Sequence, residues 1–165
     1  MDKAVGALKY IVPLLRKYNF QWVITGGFAC LAYGVKRPLT DIDIDINTAK
    51  DSPQFKLFTQ DVKPYTTQDL EHYVDQNYDN YNLEVTYEGQ VIDICPMAEL
   101  KIFDRDTNSY IPFYHNFPNV EFVDFHGLDL PLLPKDLIIK NKEMLMWQRE
   151  SDFNDIAGLR KLLTK

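Results

Sequence analysis

Cysteine and histidine, the side chains that hold zinc and build redox centres, are scarce in this sequence. Its 165 residues include two cysteines, Cys30 and Cys95, and three histidines. Each cysteine lies in an apolar run, which favours a buried free thiol in a reducing compartment. The histidines at positions 72, 115 and 126 do not have the spacing of zinc ligands. A zinc site is therefore not expected, and no arrangement of serine or cysteine predicts a catalytic nucleophile.

Long apolar segments and an excess of positive charge are also absent. No apolar run approaches the length of a membrane span, and the opening residues lead into an amphipathic pattern rather than a signal peptide. The chain is therefore predicted to be cytoplasmic, with no membrane partner. Lysine and arginine number 18 against 24 acidic residues, which gives a net charge of -6. This balance argues against a general DNA- or RNA-coating surface but allows a local basic pocket for a triphosphate.

The composition that remains is that of a folded globule, with 45% hydrophobic and 13% aromatic residues. No repeat, linker or low-complexity segment interrupts the chain, so a single domain over residues 1–165 is expected. The order of elements predicts an α/β (α+β) fold with a mixed β-sheet flanked by helices. The predicted helices are 3–18, 28–33, two within 51–76 (the second capped at 66–69), 137–147 and 152–163; the predicted strands are 21–24, 41–46, 82–86, 90–94, 121–124 and 128–130, with at most one short strand in a loop at 103–119.

An alternating acidic strand runs from Asp41 to Ile46 with the sequence Asp-Ile-Asp-Ile-Asp-Ile. Side chains two residues apart on a strand share a face, so Asp41 and Asp43 are predicted to lie side by side. Two adjacent carboxylates repel each other and favour a cation between them, and hard oxygen ligands suit Mg²⁺. Asp45 lies one step farther along and is not expected to bind the same ions. The alternative is a solvated edge strand whose acids deter aggregation.

A glycine pair, Gly26-Gly27, joins the strand at 21–24 to the helix at 28–33. Glycine leaves the backbone bare, so a phosphate group can approach closely, and the helix start directs free N–H groups towards it. Thr25 could add a hydroxyl to a phosphate oxygen. The alternatives are an ordinary turn for the glycines and simple packing for the threonine.

The glycine pair, the Asp41-Ile42-Asp43 strand and a later apolar strand with one acid, Val91-Ile92-Asp93-Ile94, together resemble the nucleotidyltransferase superfamily that includes DNA polymerase beta. The resemblance is strongest to its minimal AbiEii-like and antibiotic nucleotidyltransferase-like members. It implies the nucleotidyltransferase fold, with Asp41, Asp43 and Asp93 as catalytic and metal-binding residues. It also implies a nucleoside triphosphate (NTP) substrate and Mg²⁺. Two such ions about 3.5–4 Å apart stabilise the attacking and leaving oxygens of an in-line displacement.

The resemblance extends over roughly residues 20–165, with a poorly matched middle. The helix before Gly34, followed by Arg37, is similar to the segment that precedes the acids in these proteins. Leu133 to Lys140, with Arg149, Asp152 and Asp155, is similar to their C-terminal helical pair, here at about 134–165. Ordinary solvated side chains are the alternative for Arg37 and Lys140. The residues that the resemblance implies as nucleotide contacts are Thr25, Gly26, Gly27, Arg37 and Lys140.

Two functions follow from these patterns. The first is a Mg²⁺-dependent enzyme that transfers NMP from an NTP to a hydroxyl, on a small molecule such as an antibiotic or on a macromolecule in a toxin–antitoxin-like system. The second is a catalytically silent nucleotide-binding or protein-interaction module of the same fold. A homo-oligomer or a cognate protein partner is expected alongside either function. Aromatic side chains that could line a base or acceptor pocket are Tyr78, Tyr81, Tyr114 and Phe117.

Overall fold

The architecture is a mixed β-sheet flanked by helices, seen in a computed structural model that describes residues 2–115, 117 and 119–164. This confirms the predicted fold class. The helices are α1 (Asp2–Lys17), α2 (Gly26–Ala32), α3 (Pro53–Val62), α4 (Lys135–Met144) and α5 (Glu150–Leu163). The strands are β1 (Trp22–Ile24), β2 (Asp41–Ile46), β3 (Thr66–Val74), β4 (Tyr78–Tyr87), β5 (Gln90–Pro96), β6 (Lys101–Asp104), β7 (Ser109–Pro112), β8 (Glu121–Phe125) and β9 (Leu128–Leu132).

The sheet has the strand order β7-β6-β4-β5-β2-β1-β9-β8, and β3 pairs with β4. Strand β2 runs parallel to β5 and antiparallel to β1. In the β2–β5 register Asp43 pairs with Asp93, and Asp41 pairs with Val91. Because side chains alternate along a strand, this register puts Asp41, Asp43 and Asp93 on the same face of the sheet.

The opposite face of these two strands is the hydrophobic core. Ile42, Ile44 and Ile46 of β2 are fully buried, and so are Ile92 and Ile94 of β5. The apolar side of α1 packs into the same cluster. Each buried isoleucine contributes about 1.5–3 kcal/mol, so a shift of either strand by one residue would expose several of these side chains. The core therefore fixes the register that gathers the aspartates.

The predicted second helix within residues 51–76 is wrong, because this part of the chain forms the edge strand β3. Its first residues, Thr66 and Thr67, open the strand instead of capping a helix. Strand β3 pairs antiparallel with β4 through two irregularities of register. It is exposed along most of its length, so the apolar alternation that identifies a half-buried strand is weak. Threonine is also common at helix caps, which made the helix a plausible alternative.

Other segments also differ from the prediction, and strand β4 begins at Tyr78, four residues before its predicted start. The segment predicted as a loop with at most one short strand contains the β6–β7 hairpin, in which Ile102 pairs with Ile111. The first C-terminal helix, expected to reach residue 147, ends at Met144 because the chain turns away at Leu145. In the part of the chain that the structure describes, no helix is both long enough and apolar enough to cross a membrane.

Candidate active site

The acidic face of β2 borders a cavity of about 540 Å³. Asp41 and Asp43 line it from β2, and Asp93 lines it from β5. The glycine turn and Arg37 border the same space. The structure thus brings together all of the residues that were predicted for the site except Lys140. The cavity-lining members of that set are Thr25, Gly26, Gly27, Arg37, Asp41, Asp43 and Asp93.

Two of the three carboxylates, those of Asp43 and Asp93, lie in a poorly solvated environment. Burial, reinforced by the negative charges of Asp41, Asp93 and Asp45, raises the pKa of Asp43 to about 7. Burial also raises the pKa of Asp93, although the Asn82 side-chain amide opposes this by donating a hydrogen bond of 3.1 Å to Asp93 Oδ1. When a cation binds beside such a carboxyl group, it stabilises the ionised form that burial and the neighbouring negative charges disfavour.

Buried ion pairs join α4 and α5 beside the cavity. Lys142 Nζ lies 2.6 Å from Asp152 Oδ1 and 3.1 Å from Asp155 Oδ2. Arg37 Nη1 pairs with the same Asp155 oxygen. Burial alone would raise the pKa of Asp152, but hydrogen bonds from Lys142 and Arg149 lower it below its usual value. The negative charges of α5 are therefore balanced by cations that also line the cavity.

Lys142 occupies the place that was expected for Lys140. Lys140 is exposed on α4 and does not line the cavity, whereas Lys142 is buried and does. Two residues along an α-helix turn a side chain through about 200°, so only one of these lysines can face the site. Lys142 follows Ile138 by four residues, and both face inward. The spacing of four residues from Ile138 is the sequence signal that could have identified Lys142, but the prediction was Lys140.

Close contacts explain why glycine occupies both positions of the turn. Gly26 has a φ of +59°, and a Cβ atom there would overlap the Asp43 carboxylate. A Cβ atom on Gly27 would lie 2.5 Å from Nη1 and from Nη2 of Arg37. The main-chain N–H of Thr25 also donates to the carbonyl of Asp43, over 3.0 Å. The turn is thus packed directly against a predicted metal ligand and an arginine whose side chain is largely shielded from solvent.

A double-mutant cycle tests the contact between the turn and Arg37. In the wild-type background, Gly27→Ala is expected to cost about 1–3 kcal/mol of stability, because it drives the guanidinium from Asp155. In an Arg37→Ala background the same change should be neutral or slightly stabilising, since alanine is a better helix former than glycine. Chemical denaturation of the four proteins measures the coupling. Equal costs in both backgrounds would contradict the contact.

A histidine closes the far end of the acidic face. His115 Nε2 lies 2.7 Å from Asp45 Oδ2, and both side chains are largely shielded from solvent. The third acid of β2 therefore pairs with a residue that follows β7. Among the aromatic candidates, Tyr78 lines the cavity, whereas the lining residues do not include Tyr81, Tyr114 or Phe117. Aromatic lining residues that the sequence did not indicate are Tyr73, Phe113 and Trp147.

Solved nucleotidyltransferase structures share this fold, although no protein-family model and no curated protein matches the sequence. A Thermotoga maritima protein assigned as a nucleotidyltransferase superposes with a TM-score of 0.71, at 17% identity, over 99% of this chain and 94% of its own. For the lincosamide antibiotic adenylyltransferase LnuA, bound to lincomycin, the TM-score is 0.60 at 17% identity, and the match covers 94% of this chain and 95% of LnuA. For ANT(2″)-Ia, in complex with adenylyl-2″-tobramycin, the TM-score is 0.61 at 14% identity, and the match covers 97% of this chain and 89% of ANT(2″)-Ia. The similarity is one of architecture, and the chain has the nucleotidyltransferase fold.

Proposed function

We propose that this protein is a Mg²⁺-dependent nucleotidyltransferase, similar to the AbiEii-like and antibiotic nucleotidyltransferase-like proteins, that transfers NMP from an NTP to a hydroxyl group. The observation that carries the proposal is the parallel register of β2 and β5. It sets Asp43 beside Asp93 and places Asp41 on the same face, at a cavity that the Gly26-Gly27 turn also borders. Three acidic side chains that converge on one cavity of a nucleotidyltransferase fold can hold the metal ions that assist phosphoryl transfer.

The carboxylates of Asp41, Asp43 and Asp93 fit Mg²⁺ as hard oxygen donors. Burial disfavours the ionised forms of Asp43 and Asp93 without a cation, as their raised pKa values show. Over the described ranges 2–115, 117 and 119–164, no three acidic, imidazole or thiol side chains form a ready-made metal cage. Mg²⁺ in NTP sites takes only one or two carboxylates and completes its shell with water and phosphate oxygens. When bound, it would stabilise the attacking and leaving oxygens at the α-phosphate.

The remaining roles belong to side chains of this chain. Arg37 and Lys142 line the cavity beside the glycine turn, so they are placed to offset the charge of a triphosphate. Thr25 borders the same turn with a hydroxyl that makes no capping bond to α2. Asp93 has a raised pKa and holds its orientation through Asn82, which suits it to accept the proton of the attacking hydroxyl.

A small hydroxylated molecule, such as an antibiotic, is the acceptor that the cavity fits best. Its volume of about 540 Å³ lies within the usual range for small-molecule sites. Tyr73, Tyr78 and Phe113 supply apolar surface for such a ligand. LnuA with lincomycin and ANT(2″)-Ia with an adenylylated tobramycin are fold neighbours with small acceptors. A tRNA-sized acceptor would need a basic surface, which a net charge of -6 does not favour.

The test follows the two ends of the triphosphate. The protein is incubated with α- or γ-labelled NTP, Mg²⁺ and a panel of hydroxylated antibiotics. We expect label from the α-phosphate on an acceptor, label from the γ-phosphate in pyrophosphate, and neither product when a chelator removes the metal. Asp41→Asn should abolish transfer, whereas Asp51→Asn, an exposed acid outside the cavity, should not. Transfer of the γ-label instead would identify a kinase, and NTP binding without any transfer would identify a silent module.

A further inference from the structure

Trp147 lines the cavity and leaves much of its surface exposed to solvent. It lies in the connection between α4 and α5, where Leu145 and Arg149 also line the cavity. Leu145 is buried, whereas Trp147 is 53% exposed. A tryptophan contributes 150–250 Å² of surface when it is covered, so leaving it open forgoes a large hydrophobic stabilisation. An aromatic ring held open beside a cavity is a surface on which a flat ligand can stack.

The backbone that carries this indole is held by two side chains from elsewhere, Asn77 and Arg105, and by Gln148 of the connection itself. The buried Asn77 donates from Nδ2 to the carbonyl of Trp147 over 3.1 Å and accepts the Trp147 N–H at 2.9 Å. Arg105 donates to the carbonyl of Met146 over 3.0 Å, and Gln148 donates to the carbonyl of Lys142 over 2.7 Å. The connection is thus fixed before any ligand arrives, so stacking on Trp147 would cost little further ordering of the chain.

The charged groups next to Trp147 suit a phosphorylated ligand. Arg149 follows it by two residues, so at most about 7 Å of extended backbone separates them. Lys142 lines the same cavity. The Arg149 guanidinium hydrogen-bonds to Asp152, which raises its pKa, and the charges of Asp43 and Asp41 act on it in the same direction. The two aspartates therefore lie within electrostatic range of the Arg149 guanidinium.

We propose that Trp147 is the stacking platform for the nucleobase of the NTP, with Asn77 as the residue that positions it; this rests on the proposed function. The phosphates would then point from the indole towards Arg149, Lys142 and the aspartates. Stacking on one ring face does not depend on hydrogen bonds to a particular base, so the site should accept several bases with affinities that follow their stacking strength.

Fluorescence can follow this contact directly, because the chain has two tryptophans. The other, Trp22, is 8% exposed in β1. Titration of the wild type with each NTP and Mg²⁺ should quench the emission in a saturable way, most strongly for purines. A Trp147→Phe protein, which emits from Trp22 alone, should show no saturable quenching. Equal quenching in the two proteins would overturn the proposal.

Affinity measurements separate base stacking from damage to the site. By calorimetry, Trp147→Ala should weaken NTP binding about five- to hundredfold, while binding of inorganic tripolyphosphate, which has no base, stays unchanged. Phe153→Ala removes an equally exposed aromatic outside the cavity and should alter neither affinity. An unchanged NTP affinity, or an equal loss for both ligands, would overturn the stacking role alone. A wild type that binds no NTP would overturn the proposed function as well.

Discussion

Asp43→Asn is expected to abolish nucleotidyl transfer while leaving the metal-free protein as stable as the wild type or more stable. Under the proposed function, the change removes a ligand charge that Mg²⁺ requires, so the rate should fall by roughly 10²–10³-fold or more. The loss of stability seen with most buried substitutions should not follow. Asparagine has nearly the same shape as aspartate and carries no charge that repels Asp41, Asp93 and Asp45.

The effect of Asp43→Asn on stability is expected to depend on pH. Because the pKa of Asp43 is raised to about 7, the folded protein binds a proton that the unfolded chain has already lost at lower pH. The contribution of Asp43 to stability is therefore present in acid and is lost as the pH rises from about 4 to about 7. The advantage of Asp43→Asn over the wild type should accordingly grow across that range.

Thermal denaturation in chelator at pH 5 and pH 8, and again with Mg²⁺, measures both effects. Each kcal/mol recovered by the substitution should raise Tm by about 2–4 °C in a chain of this length. Mg²⁺ should raise the Tm of the wild type more than that of the variant, since a ligand that binds the folded state stabilises it. A lower Tm for Asp43→Asn in chelator would identify Asp43 as a structural residue and contradict a metal-binding role.

The largest loss of stability is expected from Lys142→Met. Methionine preserves much of the apolar stem but leaves Asp152 and Asp155, which are 0% and 1% exposed, without their shared cation. Breaking a buried ion pair on one side costs about 3–5 kcal/mol, because the remaining charge keeps its desolvation penalty. The Tm should fall by about 6–20 °C. Acidification should narrow the difference, since protonating Asp152, whose pKa is lowered by its hydrogen bonds, removes charge that Lys142 neutralises.

Lys140→Met is the matched control for this prediction. It makes the same chemical change two residues away on α4, at an exposed position, and should alter stability by less than about 0.5 kcal/mol. Equal melting temperatures for the two variants would contradict the buried cluster. Equal losses of NTP affinity would contradict the placement of Lys142, rather than Lys140, beside the phosphates.

The sequence predicted the acid-bearing strands well because their pattern is local. Ile42, Ile44 and Ile46 alternate with aspartates, and that period both identifies a strand and separates its two faces. The placement of Asp93 beside Asp43 is different, since parallel pairing joins strands distant in the chain. That pairing came from the family resemblance and not from the period.

What the sequence missed depends on distant contacts. His115 hydrogen-bonds to Asp45, which lies 70 residues earlier in the chain, and no local sequence pattern predicts such a pair. Trp147 was predicted to close a helix, but the two hydrogen bonds with Asn77 hold it in the connection outside α4. Strand β3 is stabilised mainly by pairing with β4, so the burial that would have marked it is largely missing. In each case tertiary contact overrode local propensity.

The β2–β5 pairing sets different limits on insertions in different parts of the chain. The segment between Ile46 and Gln90 contains α3, β3 and β4. It can gain or lose residues without moving the aspartates, provided that β2 and β5 keep the same register. A single deletion of Val91 or Ile92 would instead turn Asp93 to the core face if Gln90 kept its partner Tyr87. What must be conserved is the parity of β5, not the length of the intervening chain. An insertion between the two strands is therefore compatible with the same three carboxylates staying together.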